Sequence, residues 1–420
     1  MKSMSITPIL ILLAVLFIFD LYTYRSIKII GSDLPGAYTK RILSIVHWAI
    51  FAGVAIWYLF MYFNMPFMGS YKYYKFYYFL FGITLLFYLP KLVLSFFQII
   101  DDGWMLTQWI AKKFSSEPSE SAGGMSRARF LYHTGIVVAS IPFIGAAYGM
   151  IKGRWDFRIV RKTMKFDNLP ASFDGYKIVQ ISDAHVGSFF SNYKPVEKAL
   201  ELINNLNADL VLFTGDLVNN FAKEAEEWIP YFKEIKAKDG KFSILGNHDY
   251  GDYSSWPSEE AKQENFNRLT EIHGEMGFDL LRNENRTVKR SGEEIAVLGV
   301  ENWGVKPFPQ LGDISKAKNG VENTPFKVLM SHDPSHWDYE TIKNHKDVDL
   351  TLSGHTHGAQ FGVELGNIKW SPVKYKYPRW AGEYSVGKQK LYVNRGIGYI
   401  GFPGRVGMPP EITVIELKRA

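Results

Sequence analysis

Two kinds of hydrophobic patterning divide the chain. In the first third, apolar residues run on without the alternation of a surface helix. Residues 6–24 hold Asp20 as their one charge, 42–63 hold none, 74–100 are interrupted at Pro90-Lys91, and 130–150 are uncharged and rich in Gly and Ala. Crossing a bilayer takes roughly 20 apolar residues, so these runs predict four spans. The first is read as a retained span because no small-x-small cleavage site follows before Arg25. Trp57, Tyr58 and Tyr62 lie where an aromatic belt would be. At Pro90 a kink would let Lys91 snorkel, with 92–100 at the interface; a functional intramembrane lysine is the other reading. Gly135, Ala139, Gly145, Ala146, Ala147 and Gly149 suit close helix packing in the fourth run. Between the third and fourth, 115–129 is rich in Ser, Gly and Glu and predicts a flexible loop.

From about Trp155 the pattern changes. Short apolar runs at 176–182, 209–214, 242–245, 295–300, 326–331, 350–353, 391–394 and 412–417 predict strands. Between them, 195–206 and 222–235 show helical spacing, with Val196, Ala199, Leu200 and Ile203 on one face and Trp228, Ile229, Phe232 and Ile235 on another. Such alternation predicts an α/β domain around a sheet. The expected organisation is a membrane region over 1–151 and an α/β domain over 152–420.

Composition narrows the chemistry. The chain of 420 residues has no cysteine, which excludes disulfides and thiolate metal sites. A metal would rest on His, Asp, Asn or Glu, favouring Mn, Fe, Mg or Zn. The net charge of +6 is mild and no continuous basic tract occurs, so no nucleic-acid partner is expected. Four spans place the N-terminus and everything after Met150 on one side. Lys and Arg flank the two sides in near-equal number, and the cluster at 152–165 tips the catalytic domain toward the cytoplasm.

Five polar clusters each follow a predicted strand: Asp183-Ala184-His185, Gly215-Asp216, Gly246-Asn247-His248-Asp249, Ser331-His332, and Gly354-His355-Thr356-His357-Gly358. A lone histidine is more often a core or surface residue than a ligand, and Gly-Asn-His-Asp alone would be a polar turn. Five clusters at strand ends converge on one edge if the strands share a sheet. Two divalent ions about 4 Å apart can polarise a phosphoryl group and activate a water. A carboxylate suits a bridging position, with imidazoles and an amide filling the rest.

This order of motifs resembles the calcineurin-like metallophosphoesterase superfamily over about 176–358. The resemblance implies a four-layer fold, a two-sheet β-sandwich covered by helices. It also implies two divalent ions, manganese first among them. One would take Asp183, His185, Asp216 and His357; the other would take Asp216, Asn247, His332 and His355, with Asp216 bridging. His248 would protonate or stabilise the leaving group and Asp249 would orient it. The preceding spans look like the transmembrane branch, which includes bacterial inner-membrane enzymes cleaving the diphosphate of UDP-2,3-diacylglucosamine in lipid A synthesis. That finer likeness rests on architecture, on 394–398 and on 403–405.

Substrate contacts are expected from loops. Residues 368–384 interleave Lys369, Trp370, Lys374, Tyr375, Lys376, Tyr377, Arg379 and Trp380. They could meet anionic headgroups, an acyl chain or a diphosphate, or form a hairpin with a basic face. Arg395 and Arg405 are further candidates, Arg405 either as a bidentate phosphate contact or in a salt bridge. Residues 250–256 could line the pocket or form a solvated loop. The expected function is hydrolysis of a phosphodiester or diphosphate, lipid-linked or nucleotide-linked. The alternatives are a membrane phosphodiesterase with a soluble substrate and a non-catalytic receptor or scaffold.

Overall fold

In lipid every backbone polar group must be satisfied within its own segment, so the long apolar runs can only be helices. The computed structural model describes residues 5–33, 35–64, 71–114, 127–189, 193–366 and 368–420. Among them are four long helices: α1 (Thr7–Asp33), α2 (Ala37–Asn64), α3 (Tyr74–Phe114) and α4 (Arg127–Ile151). All four contain windows long and apolar enough to cross a membrane. The expected loop at 115–129 falls largely outside the described residues. Two units emerge: the described residues to 64 with Phe79–Tyr148, and 71–78 with Gly149–Ala420. Residues 71–78, at the start of α3, group with Gly149–Ala420.

The helical unit corrects the reading of Pro90-Lys91. Pro90 lies inside α3 without ending it. Lys91 does not snorkel; it is buried and ion-paired with Asp20 of α1. Tyr88 donates to the other Asp20 oxygen at 2.5 Å, and His47 of α2 places Nε2 3.4 Å from Asp20. Further along, buried Asp101 accepts from Arg25 at 3.1 Å, Arg127 at 2.6 Å and Tyr132 at 3.2 Å. On α4, a Cβ at Gly135 would stand 3.2–3.3 Å from Phe97 and Leu94, so small size lets α3 approach. Removing one partner of a buried ion pair costs about 3–5 kcal/mol, whereas replacing both can be neutral. Lys91→Met should thus lower the melting temperature of the detergent-solubilised full chain, and adding Asp20→Asn should restore much of it. Equal melting of Lys91→Met and wild type would show the pair to be energetically idle.

The described residues of the catalytic unit form fourteen strands: β1 (Arg158–Phe166), β2 (Lys177–Ile181), β3 (Leu210–Phe213), β4 (Lys241–Ser243), β5 (Asp279–Leu280), β6 (Glu284–Arg290), β7 (Glu293–Gly299), β8 (Lys327–Met330), β9 (Leu350–Ser353), β10 (Val363–Leu365), β11 (Ile368–Trp370), β12 (Gly382–Val386), β13 (Gln389–Val393) and β14 (Glu411–Arg419). One sheet has the order β1-β14-β2-β3-β4-β5, a second β12-β13-β9-β8-β7-β6, and β10-β11 form a separate pair. Ile178, Leu210 and Leu212 of the first sheet, with Ile244 just past β4, meet Ile295, Val328, Leu350 and Leu352 of the second in one buried cluster.

Helices cover the outer faces. Against the first sheet lie α5 (Lys194–Asn205), α6 (Ile229–Lys233) and α7 (Glu259–Glu275); against the second lies α8 (Ile314–Ala317). The result is the expected four-layer α/β/β/α arrangement. One local expectation changes, and two elements are added. Residues 222–235 form two 3₁₀ turns and the short α6, not one helix. Buried Glu224 turns back to accept from the N–H groups of Asn219, Asn220 and Phe221, and Pro230 starts the helix anew. The helix α7 was not foreseen from its polar sequence; Ser258 caps it. The cations Arg158, Arg161, Lys162 and Lys165 lie on edge strand β1, paired with β14, where they blunt further strand pairing.

Candidate metal centre

Parallel strands bring the clusters together because their C-terminal ends share an edge. In the first sheet β2, β3 and β4 are parallel neighbours, as are β8 and β9 in the second. Asp183 and His185 follow β2, Asp216 follows β3, Asn247 and His248 follow β4, His332 follows β8, and His355 and His357 follow β9. Asp183, His185, Asp216, His355 and His357 all adopt left-handed backbone, unusual for residues with a side chain. The turns admit no bulk: a Cβ on Gly246 would lie 2.2 Å from an Asp216 oxygen, and one on Gly354 would lie 2.2 Å from an Asp183 oxygen.

Two groups of ligand atoms result. Asp183, His185 and His357 form one; Asp216, His332 and His355 form the other, with the atoms of each group within 4.8 Å of one another. In the first, His185 Nε2 is 3.1 Å from His357 Nε2, which is 3.2 Å from Asp183. In the second, His332 Nε2 is 3.2 Å from Asp216 Oδ2. The same oxygen is 3.5 Å from His185 Nε2, so Asp216 stands between the groups. Asn247 Oδ1 is 2.8 Å from His355 Nδ1, and its amide nitrogen donates to Tyr253 at 2.9 Å, which aims the oxygen inward.

The donor set fits cations. His332 Nε2 is buried without a hydrogen-bond partner. Its Nδ1 faces the Thr214 carbonyl at 2.7 Å and His185 Nδ1 faces that of Val218 at 3.2 Å, so each Nε2 points into the site, where a cation would displace the proton His332 carries there. Burial pushes His185 down to about 3 and His355 to about 4, leaving neutral imidazoles. Burial also pushes the Asp183 carboxyl up to about 6. Against the cost of burial, the Asp216 carboxylate holds His332 at about 10. Buried carboxylates recruiting an imidazolium is the behaviour of a site built for positive charge.

His248 stands beside this centre, its ring 5.0 Å from that of His185 and 4.4 Å from that of Tyr253. Its backbone N–H donates to Asp216 at 2.9 Å. Asp249 does not orient it, contrary to expectation. The Asp249 carboxylate accepts four backbone N–H groups, from Asp216, Leu217, Val218 and Gly246, at 2.8–3.2 Å, tying the β3 and β4 turns together. The Asn219 carbonyl, 2.8 Å from His248 Nδ1, orients the ring instead. A backbone acceptor leaves no mark in a sequence.

The six expected substrate contacts disperse. Tyr377 reaches the centre, its hydroxyl 2.7 Å from His355 Nε2, so it touches a ligand ring. Arg405 lies behind His357, buried, with all its N–H groups directed to the carbonyls of Arg395, Gly396, His357 and Gly398 and to His357 Nδ1. It has no donor left for a phosphate. Arg395 pairs with Glu364 at 2.7 Å and Glu411 at 3.4 Å. Arg379 lies 3.5 Å from Asp338 and covers the Trp337 ring. Trp370 is exposed on β11, and Lys374 lies on the loop beyond it. One residue went unforeseen. Buried Asp333 has Oδ2 3.5 Å from His355 Nε2 and without a hydrogen-bond partner, while Ser335 holds Oδ1. Its one signal was adjacency to His332.

Comparison with known proteins agrees with this geometry. Residues 176–359 match the family described as "Calcineurin-like phosphoesterase", and 4–154 match "Probable Calcineurin-like phosphoesterase, transmembrane domain". The chain is 31% identical over 301 residues to "Uncharacterized metallophosphoesterase YkuE" of Bacillus subtilis (strain 168), covering 70% of this chain and 98% of the relative. It is 26% identical over 325 residues to "Transmembrane protein with metallophosphoesterase domain" of Danio rerio, covering 75% and 68%. With two convergent candidate cation sites preceded in the chain by four apolar helices, the chain belongs to the calcineurin-like metallophosphoesterases, as a membrane-associated, metal-dependent phosphoester hydrolase of the transmembrane kind.

Proposed function

We propose that the chain hydrolyses a phosphodiester or diphosphate bond of a lipid-linked substrate, using two divalent ions, manganese foremost. The observation that carries the dinuclear reading is Asp216 Oδ2, within 3.5 Å of an imidazole nitrogen from one group and 3.2 Å of one from the other. Ions held there would polarise the phosphoryl oxygens and lower the pKa of a bound water. The protein's part is positional. Asp216 spans both groups while its second oxygen accepts the His248 N–H. Tyr253 turns the Asn247 oxygen inward, and the Asn219 carbonyl fixes His248 with Nε2 as its available nitrogen, suited to protonating the leaving oxygen. The lipid-linked reading is supported by the four apolar helices, which confine the active site to a membrane where such a substrate is met by two-dimensional search.

The test is metal analysis of the purified full chain and then a substrate panel with added manganese. The expected result is about two ions per chain, turnover of bis-p-nitrophenyl phosphate, and faster turnover of a lipid-linked diphosphate such as UDP-2,3-diacylglucosamine in vesicles. Faster turnover of the soluble diester than of any vesicle-borne substrate would overturn the lipid-linked reading. A fully loaded protein inert toward all of them would favour a receptor or scaffold.

A further inference from the structure

The chain does not pass directly from the ligand turn to Tyr377. After His357 it bridges Phe361 to Val406, then projects the two-stranded hairpin β10-β11 and returns through Ser371, whose hydroxyl donates to the Gly358 carbonyl at 2.7 Å. An isolated two-stranded hairpin is marginal in water, and this one is turned the wrong way for water. Val363 faces Trp370 and Leu365 faces Ile368 across the pair, while Glu364 faces Lys369. Alternation along each strand puts the four apolar side chains on one face and the charged pair on the other. The charged face is the one fastened down: Glu364 pairs with Arg395 at 2.7 Å, and Lys369 donates to the Ala381 carbonyl and covers the Trp380 ring. The apolar face is open, with Val363 50%, Leu365 73%, Ile368 64% and Trp370 40% exposed. Tyr375, 78% exposed, sits between Lys374 and Lys376.

We propose that this hairpin is an interfacial membrane element, its apolar face seated at the boundary between lipid headgroups and acyl chains. Three observations select a bilayer as the occupant. The same chain carries four helices apolar enough to span one, so the domain is carried on a chain that resides in lipid. Trp and Tyr flanked by Lys is the composition that settles at an anionic headgroup layer. The contacts of the charged face hold the apolar residues outward as a fixed wedge, with Leu365 and Ile368 the most open. The same segment runs on from His357 to Tyr377, whose hydroxyl is 2.7 Å from His355 Nε2, so the hairpin is continuous in the chain with the candidate metal centre.

The native sequence contains no cysteine, so Leu365→Cys gives one labelling site in the full chain. A bimane label there, in phosphatidylcholine–phosphatidylglycerol vesicles, should be quenched by lipids brominated on their acyl chains and shielded from iodide. The same label at Glu264→Cys, on exposed α7, should behave oppositely. A Leu365 label open to iodide and blind to brominated lipid overturns the proposal. So does shielding that depends on protein concentration without lipid quenching, which would assign the face to a second copy. In a second arm, Leu365→Asp with Ile368→Asp should leave bis-p-nitrophenyl phosphate turnover unchanged and lower turnover of a vesicle-borne substrate by roughly tenfold or more, as expected when an interfacial apolar contact is lost. Equal loss on both substrates would make the hairpin structural and overturn it. The labelling arm reads the hairpin independently of any reaction, so failure of the hydrolase reading would be separately visible.

Discussion

Asp216→Asn should cut turnover by roughly 10³-fold or more, since bridging and activation are worth several kcal/mol and each 1.4 kcal/mol is a factor of ten. Its Oδ2 is the one carboxylate oxygen placed between a His185 nitrogen and a His332 nitrogen. Its Oδ1 accepts the His248 N–H, and its own N–H is held by Asp249. An amide keeps one oxygen and loses the charge that two cations would share. Asparagine also suits the left-handed backbone at this position, φ 58°, better than alanine, so the variant should fold. Metal analysis should find one ion or none, against the two expected of the wild type. Asp216→Ala should show the same metal loss with a greater cost in stability. Wild-type metal content in both variants would refute the bridging role, whatever the activity.

His248→Ala should separate chemistry from metal binding. Its Nδ1 is engaged by the Asn219 carbonyl and its ring packs beside His185 and Tyr253, outside both groups of ligand atoms. Metal content should therefore stay at the wild-type level while turnover falls by roughly 10²–10⁴, the usual span for a general acid. The loss should shrink for a nitrophenolate leaving group, which departs without a proton, and be largest for an alkoxide. An equal loss across leaving groups would refute proton donation. Asp249→Asn should behave differently again. Asp249 accepts four backbone N–H groups, so that variant should loosen the β3 and β4 turns and weaken metal binding, a result an orienting role on His248 would not give.

Sequence alone determined the features that local pattern dictates. Uninterrupted apolar runs can satisfy their backbone in lipid only as helices, so the four spans were legible without a fold. The candidate ligand residues were legible as a set because each comes just after a short apolar run, and a strand's end must release its chain at the sheet edge. Tertiary structure decided the features that depend on groups distant in the chain or silent in it. Asp20 answers Lys91 from 71 positions away, so no window around Lys91 could disclose its partner. His248 is oriented by a main-chain carbonyl, which every residue possesses and no sequence advertises. Arg405 looks like a phosphate clamp in a Gly/Pro-rich loop, yet folding surrounds it with carbonyls behind His357 and exhausts its donors. The hairpin 363–370 had a readable alternation, but alternation says only that two faces differ. Which face was fastened to the protein and which was left open was settled by Glu364 finding Arg395 and Lys369 finding the Ala381 carbonyl, contacts that exist only once the second sheet has formed.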